Sequence, residues 1–279
     1  MSRILSKTEL APKTFELVVS SRIARRAQPG QFVIAMGEER GERIPLTIAD
    51  YDTKAETLTL VVMVVGTSSM KIADLEPGQS LYALIGPLGK PSHIDIQGPV
   101  LFVAGGVGTA PVYPIARAFH RHENKVLTVQ GARTRELLFW EDKLRSVSDE
   151  YIMTTDDGSA GRRGLVTGPV MELLDRAEPK IERVVAIGPT VMMQAVSEAT
   201  RPFGVSTIVS LNTIMIDGTG MCGGCRVEVG GTTQFTCVDG PEFDGHQVAW
   251  EGLNHRQRVY KEQEHCSLNR YIESRAHHG

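Results

Sequence analysis

The stretch VLFVAGGVGTAPVYPIARAFHRH, residues 100–122, decides how the chain is read. Val100–Ala104 run without a polar residue, as a strand buried on both faces should. Gly105, Gly106 and Gly108 then make a turn, and Thr109-Ala110-Pro111 open a helix. Pro111 suits a first helical turn, where its missing N–H costs nothing. Strand, glycine turn and helix in that order bring backbone close to a pyrophosphate and aim the free N–H groups of a helix start at it. A tight turn with no ligand has the same composition, so the neighbouring segments have to decide.

Toward the carboxyl end the alternation continues. KVLTVQGAR (125–133), YIMTTDDG (151–158), RVVAIGP (183–189) and STIVSL (206–211) are read as strands. RELLFWEDKLRSV (135–147), VTGPVMELLDRA (166–177) and TVMMQAVSEATR (190–201) are read as helices. Strand alternating with helix predicts an α/β doubly wound parallel sheet, a nucleotide domain over 98–211. Gly188-Pro189 end one strand and open the helix at Thr190, so they share the sheet's carboxyl edge with Gly105–Gly108, where ligands bind. Asp156 and Asp157 fall on that edge too, as contacts for ribose or nicotinamide or as a plain solvated turn.

Toward the amino end the pattern shortens. FELVV (15–19), QFVIAM (31–36), IPLTIAD (44–50), TLTLVVMVV (57–65) and SLYALIG (80–86) are strands, separated by turn signals such as Gln28-Pro29-Gly30 and Glu76-Pro77-Gly78. They predict a small antiparallel β-barrel over 1–97. Arg43 precedes Pro45, Leu46 and Thr47; an arginine pairs bidentately with phosphate, and a hydroxyl four residues on can reach a flavin ring nitrogen. An arginine at a strand start is otherwise a surface charge. Gly66-Thr67-Ser68-Ser69 supply N–H and O–H donors suited to a pyrophosphate, and the turn at Gly86 closes the barrel.

Residues 212–250 have glycines and cysteines but no helical period. Their spacing is Asp217-x4-Cys222-x2-Cys225-x11-Cys237. With cysteine in the first place this is the plant-type [2Fe–2S] pattern. Four anionic ligands must converge on two irons, and Gly218, Gly220, Gly223 and Gly224 permit the tight wrapping. A Cys₃Asp zinc site and three thiols without metal are the alternatives; the glycine density and the long third gap favour iron. Cys266, the fourth cysteine, stands in the charged tail 251–279 and is read as a free thiol. The tail itself is read as one exposed or partner-bound helix.

The bulk numbers fit a globular protein: 279 residues, 41% hydrophobic, 23% charged and a formal charge of −3, with no electrostatic reason for a nucleic-acid partner. No apolar run approaches the ~20 residues of a membrane span. The start, broken by Lys7, Glu9 and Pro12, lacks a signal peptide's apolar core, so a cytoplasmic location is expected.

Taken together these segments resemble the ferredoxin–NADP reductase superfamily, in its sulfide dehydrogenase and dihydroorotate dehydrogenase electron-transfer branch. RIPLTIAD (43–50), GGVGTAP (105–111) and DGTGMCGGC through FTCVDGPEFDGH (217–246) carry the likeness. Asp217 in place of a fourth cysteine, and the long tail, are most similar to the small subunits of NADH-dependent ferredoxin:NADP oxidoreductases. The resemblance implies FAD on the barrel, with Arg43 near its phosphates and Thr47 near the flavin ring. Pro45 and Leu46 stand where many superfamily members carry an aromatic residue against the flavin. It implies NAD(H) over Gly105–Gly108 and Gly188–Pro189; Arg133 and Arg135 are candidates for a 2′-phosphate. Electrons are then expected to run from NADH through FAD and the cluster to a larger subunit carrying flavin and [4Fe–4S] clusters, forming a heterodimer in which electron bifurcation serves ferredoxin and NADP(H). An electron-transfer subunit of dihydroorotate dehydrogenase, a redox-sensing nucleotide module without turnover and a zinc-stabilised structural subunit are the other readings.

Overall fold

The computed structural model describes residues 2–95, 98–176, 178 and 180–276. Residues 96 and 97, where the first domain boundary is expected, lie outside the described residues.

The amino-terminal sheet is built from β1 (Ser2–Ala11), β2 (Thr14–Ser20), β3 (Phe32–Met36), β4 (Ile44–Asp52), β5 (Thr57–Met63), β6 (Ser80–Leu81) and β7 (Ala83–Leu88), with a helix α1 (Thr67–Ala73) between β5 and β6. Alternate residues Leu58, Leu60 and Val62 of β5 and Leu17 and Val19 of β2 point into a core shared with Ile4, Val33 and Ile48. The strand order is β6-β1-β2-β5-β4-β3-β7, all antiparallel. The segment 80–86, expected as one strand, is two. The chain leaves the β1 edge at Leu81 and joins the β3 edge at Ala83, with only Tyr82 between. One segment thus serves both edges, which nearly closes the barrel.

The second sheet holds β8 (Val100–Gly105), β9 (Val126–Ala132), β10 (Glu150–Thr155), β11 (Arg162–Arg163), β12 (Arg183–Ile187), β13 (Ser206–Ser210) and later β16 (Glu242–Asp244), with the hairpin β14 (Arg226–Val229) and β15 (Thr232–Phe235) before it. Its order is β11-β10-β9-β8-β12-β13-β16, parallel except for β16 against β13. Every residue of β8 is buried. Val100, Phe102 and Ala104 face α2 (Thr109–Arg121) through Val112, Ile115 and Phe119. Leu101 and Val103 face Val170 and Met193 of α4 (Thr167–Leu174) and α5 (Thr190–Thr200). The expected helix over 135–147 shrinks to a 3-10 turn and a short α3 (Glu141–Arg145), with Trp140 left-handed at φ 56° between them. Tertiary contacts override the helical pattern there. Phe139 is drawn into a buried cluster with Ala11, Ala49, Val61 and Ala110 from both domains, and Trp140 Nε1 donates to Glu16 Oε2 at 3.0 Å. Two helices, α6 (Trp250–Arg258) and α7 (Lys261–Ala276), replace the single helix expected in the tail.

Through β16 the cysteine-bearing module is an extension of the parallel sheet. Glu242 of that strand accepts a hydrogen bond from Ser92 Oγ in the connection between barrel and sheet. Burial raises the Glu242 carboxyl above its ordinary value, while Ser92, Arg183 and His93 pull it down. A carboxyl whose folded pKa is raised favours folding at low pH, and that contribution is lost as pH rises through the folded value. Glu242→Gln keeps an acceptor for Ser92 and removes the charge. Relative to the wild type, the variant is expected to gain thermal stability as pH rises above the ordinary glutamate value. Paired melting curves across that range check it.

Candidate functional site

The nucleotide turn is shaped by contact between two strand ends. β8 and β12 are neighbours whose chain connections leave in opposite directions, so their carboxyl ends frame the crevice where such sheets bind ligands. Gly106 takes φ +53° over open space, and a Cβ on Gly108 would stand 2.1 Å from the Ile187 carbonyl oxygen. A Cβ on Gly188 would come within 3.0 Å of Gly105 Cα. The two glycine turns therefore touch, and Pro189 starts α5 at Thr190 beside the start of α2. Thr109 is buried and accepts from Gln130 Nε2 at 3.1 Å; Ala110 belongs to the inter-domain cluster, and Pro111 sits in the first turn of α2. Asp156 is exposed on the same edge, and Asp157 binds the N–H and hydroxyl of Ser159. Arg135 pairs with Glu141 at 3.4 Å and Arg133 is exposed.

On the barrel, Arg43 is exposed just before β4, and Pro45, Leu46 and Thr47 are half-buried on it. Gly66 caps α1 in an extended conformation. Ser69 is spent internally, accepting from the N–H groups of Val65 and Gly66 at 3.0 Å. Ser68 donates to Glu42, and Thr67 shares a 3.0 Å hydrogen bond with Ser267 of α7. A cavity of about 160 Å³ lies between the β3–β4 loop and α1, with Thr67, Ser68, Lys71 and Ser267 on its wall. Gly86 packs so closely that a Cβ would meet Val33 Cγ1 at 2.8 Å.

The seam joins these two regions. Arg117 of α2 reaches Asp50 of β4 at 2.6 Å and lies 5.0 Å from the Tyr113 ring centre. Burial works against the Arg117 charge, but the Asp50 carboxylate outweighs it and holds the guanidinium above its ordinary value. Ala49 and Ala110 share one buried cluster, so the strand carrying Thr47 abuts the helix that follows Gly108. No sequence pattern marked these seam residues; their partners are far apart along the chain.

The four expected metal ligands come together as two pairs. Cys225 and Cys237 are buried with their sulfurs 3.2 Å apart. Asp217 Oδ2 accepts from the Cys222 N–H at 2.7 Å, and Cys222 is exposed. The Thr219 N–H, against some burial, and then the Cys222 N–H hold the Asp217 carboxyl below its ordinary value. Burial, then the Cys225 thiol, pushes Cys237 up to about 12, so this pair becomes thiolate when a cation takes the place of its protons. Gly218, Gly220 and Gly223 are all at positive φ, as the wrapping requires, and the Gly224 N–H points at Cys222 Sγ, 3.4 Å away. Among the described residues no three of His, Cys, Asp and Glu stand where one ion could bind them all. Two ligand pairs fit a two-iron cluster, one pair to each iron. Cys266, exposed in α7, takes no part.

The cysteine-bearing module and the barrel are in contact. Cys225, Cys237 and Met215 pack in one apolar group with Phe32 and Ile34 of β3. Across the ladder, Phe32 pairs with Thr47 and Ile34 with Pro45.

This architecture is that of a ferredoxin reductase-like electron-transfer oxidoreductase, built for NAD(H), a flavin and an iron–sulfur cluster. Residues 102–198 match the oxidoreductase NAD-binding domain, and residues 212–249 match the iron–sulfur cluster binding domain of dihydroorotate dehydrogenase B. The chain is 43% identical to a dihydroorotate dehydrogenase B electron transfer subunit homolog of Thermotoga maritima, over 98% of this chain and 96% of that one. It is 30% identical to the dihydroorotate dehydrogenase B electron transfer subunit of Geobacillus kaustophilus, over 88% of this chain and 96% of the relative. Among solved structures it superposes, with a TM-score of 0.91 and 44% identity over 98% of both chains, on a chain of the NADH-dependent reduced ferredoxin-NADP oxidoreductase, described for flavin-based electron bifurcation. The chain belongs to the family of dihydroorotate dehydrogenase B electron transfer subunits and their homologues, which are subunits of larger complexes. No described helix is long and apolar enough to cross a membrane.

Proposed function

We propose that the chain is the small electron-transfer subunit of an NADH-dependent reduced ferredoxin:NADP oxidoreductase, working in the cytoplasm beside a larger subunit that carries flavin and [4Fe–4S] clusters. FAD held on the barrel would supply two-electron chemistry toward NADH, and a cluster held by Asp217, Cys222, Cys225 and Cys237 would supply one-electron transfer. The observation that carries the reading is the continuity across β3: cluster cysteines on one side, the strand of Pro45 and Thr47 on the other.

In this reading Arg43 and Thr47, with the first turn of α1 at Gly66, Thr67 and Ser68, hold the flavin nucleotide; Ser69 shapes that turn. Gly105, Gly106, Gly108, Gly188 and Pro189 hold the pyrophosphate of NAD(H), and Asp217, Cys222, Cys225 and Cys237 hold the cluster. Arg117 and Asp50 keep the two nucleotide regions at a fixed separation, which hydride transfer demands. The 44% identity to the oxidoreductase chain, against 30% to the Geobacillus dihydroorotate dehydrogenase subunit, supports this assignment.

Anaerobic addition of NADH to the purified chain is expected to bleach the flavin and then the cluster absorbance. An iron-containing, yellow protein whose spectrum NADH leaves unchanged would overturn the reading. Mass spectrometry of the co-purifying subunit separates the two complexes.

A further inference from the structure

α6 begins one residue beyond the part of the chain that matches the iron–sulfur domain, yet it reaches back to both sites. Arg256 Nη2 donates to the Gly224 carbonyl at 2.8 Å, between Cys222 and Cys225. The next residue, Gln257, accepts from the Thr190 hydroxyl at 2.8 Å and donates to the carbonyl and side-chain oxygens of Asn212 at 3.1 and 3.0 Å. Thr190 opens α5 directly after Gly188-Pro189, and Asn212 opens the cysteine module. Leu253 and Trp250 are buried and anchor the helix, and Trp250 Nε1 donates to Gly245 O at 3.1 Å.

The consequence follows from peptide geometry. In a trans peptide the C=O and the next N–H point in opposite directions. Arg226 holds the Gly223 carbonyl at 3.2 Å, and the Gly224 N–H of that peptide is the one aimed at Cys222 Sγ. Arg256 does the same to the next peptide, so the Cys225 N–H points away from the guanidinium. N–H groups directed at cluster sulfurs, and a cation nearby, stabilise the more negative reduced cluster and raise its potential.

We propose that Arg256 is a positioning residue for the cluster loop, and that α6, through Gln257 and Thr190, couples occupancy of the nucleotide turn to the cluster's potential. This rests on the iron–sulfur reading above. By linkage, a nucleotide that shifts the potential is itself bound more or less tightly, by the same factor, when the cluster is reduced.

The test is a redox titration of the full-length holoprotein, following the reduced-cluster EPR signal with and without ADP-ribose, a redox-inert nucleotide fragment. Arg256→Gln is expected to lower the potential by about a tenfold change in the reduced-to-oxidised ratio, ~59 mV for one electron, with Arg256→Lys recovering part of it. Gln257→Ala is expected to keep the nucleotide-free potential and lose the shift that ADP-ribose produces in the wild type. Loss of iron from Arg256→Gln at an unchanged melting temperature supports the role, and Arg256→Lys then supplies the potential. Wild-type potentials in all variants with the EPR signal intact, or a wild type that ADP-ribose does not move, overturn the proposal. A wild type without any cluster signal removes the iron–sulfur reading and the proposal together.

Discussion

Replacing Cys237 by alanine is expected to strip the protein of its cluster and to cut electron delivery to a one-electron acceptor at least about 100-fold. Residues that merely support metal ligands cost 10–100-fold when changed, and Cys237 is read as a ligand itself, so its removal has to exceed that range. The side chain is 1% exposed and packs with Cys225 against Phe32, Ile34 and Met215. Water cannot readily take the vacated position. Bleaching of the flavin by NADH should persist, because the seam of Asp50, Arg117, Ala49 and Ala110 does not include the cysteines. Iron analysis and stopped-flow absorbance separate the two effects. A variant that keeps its iron and its rate would exclude Cys237 as a ligand.

Gly108→Ala should have the complementary effect. The added Cβ would lie 2.1 Å from the Ile187 oxygen and 2.8 Å from Gly188 Cα. Both are backbone atoms of the facing turn, so no side-chain rotation relieves the clash, and β8 and β12 must separate at their carboxyl ends. We expect kcat/KM for NADH to fall about 100-fold or more, some 2.7 kcal/mol at 1.36 kcal/mol per decade, with a lower melting temperature. The iron content should stay at the wild-type level. Gly106→Ala provides the contrast: its Cβ enters open space and meets only the strain of φ +53°, about 1 kcal/mol. Its melting temperature should move far less. Equal loss of stability in both variants would contradict the contact between the turns.

The parts of the fold that depend on local pattern were legible in the sequence. Uninterrupted apolar runs such as Val100–Ala104 became buried parallel strands, and the glycine turn opened α2 as the spacing predicts. The cysteine spacing predicts one ligand set; the structure holds Cys225 and Cys237 3.2 Å apart and Asp217 against the Cys222 N–H. Features set by distant partners were not legible. The helical period of 135–147 gave way once Phe139 and Trp140 found the barrel. The strand at 80–86 divided at Tyr82 because each half has a different neighbour. The hydroxyls of Thr67, Ser68 and Ser69 read as three equivalent donors, but Ser69 is consumed by its own turn and Thr67 meets the tail. Nothing in the sequence brings Arg256 near Gly224, 32 positions away.

The antiparallel strand β16 also bears on how the protein fails. One rim of the parallel sheet ends in the two-residue strand Arg162–Arg163, whose exposed charges discourage another chain from adding on. The opposite rim, β13, is paired with Glu242–Asp244, which belong to the segment that also carries the cysteines. Loss of that short strand would offer the bare backbone of β13 to further copies of the chain.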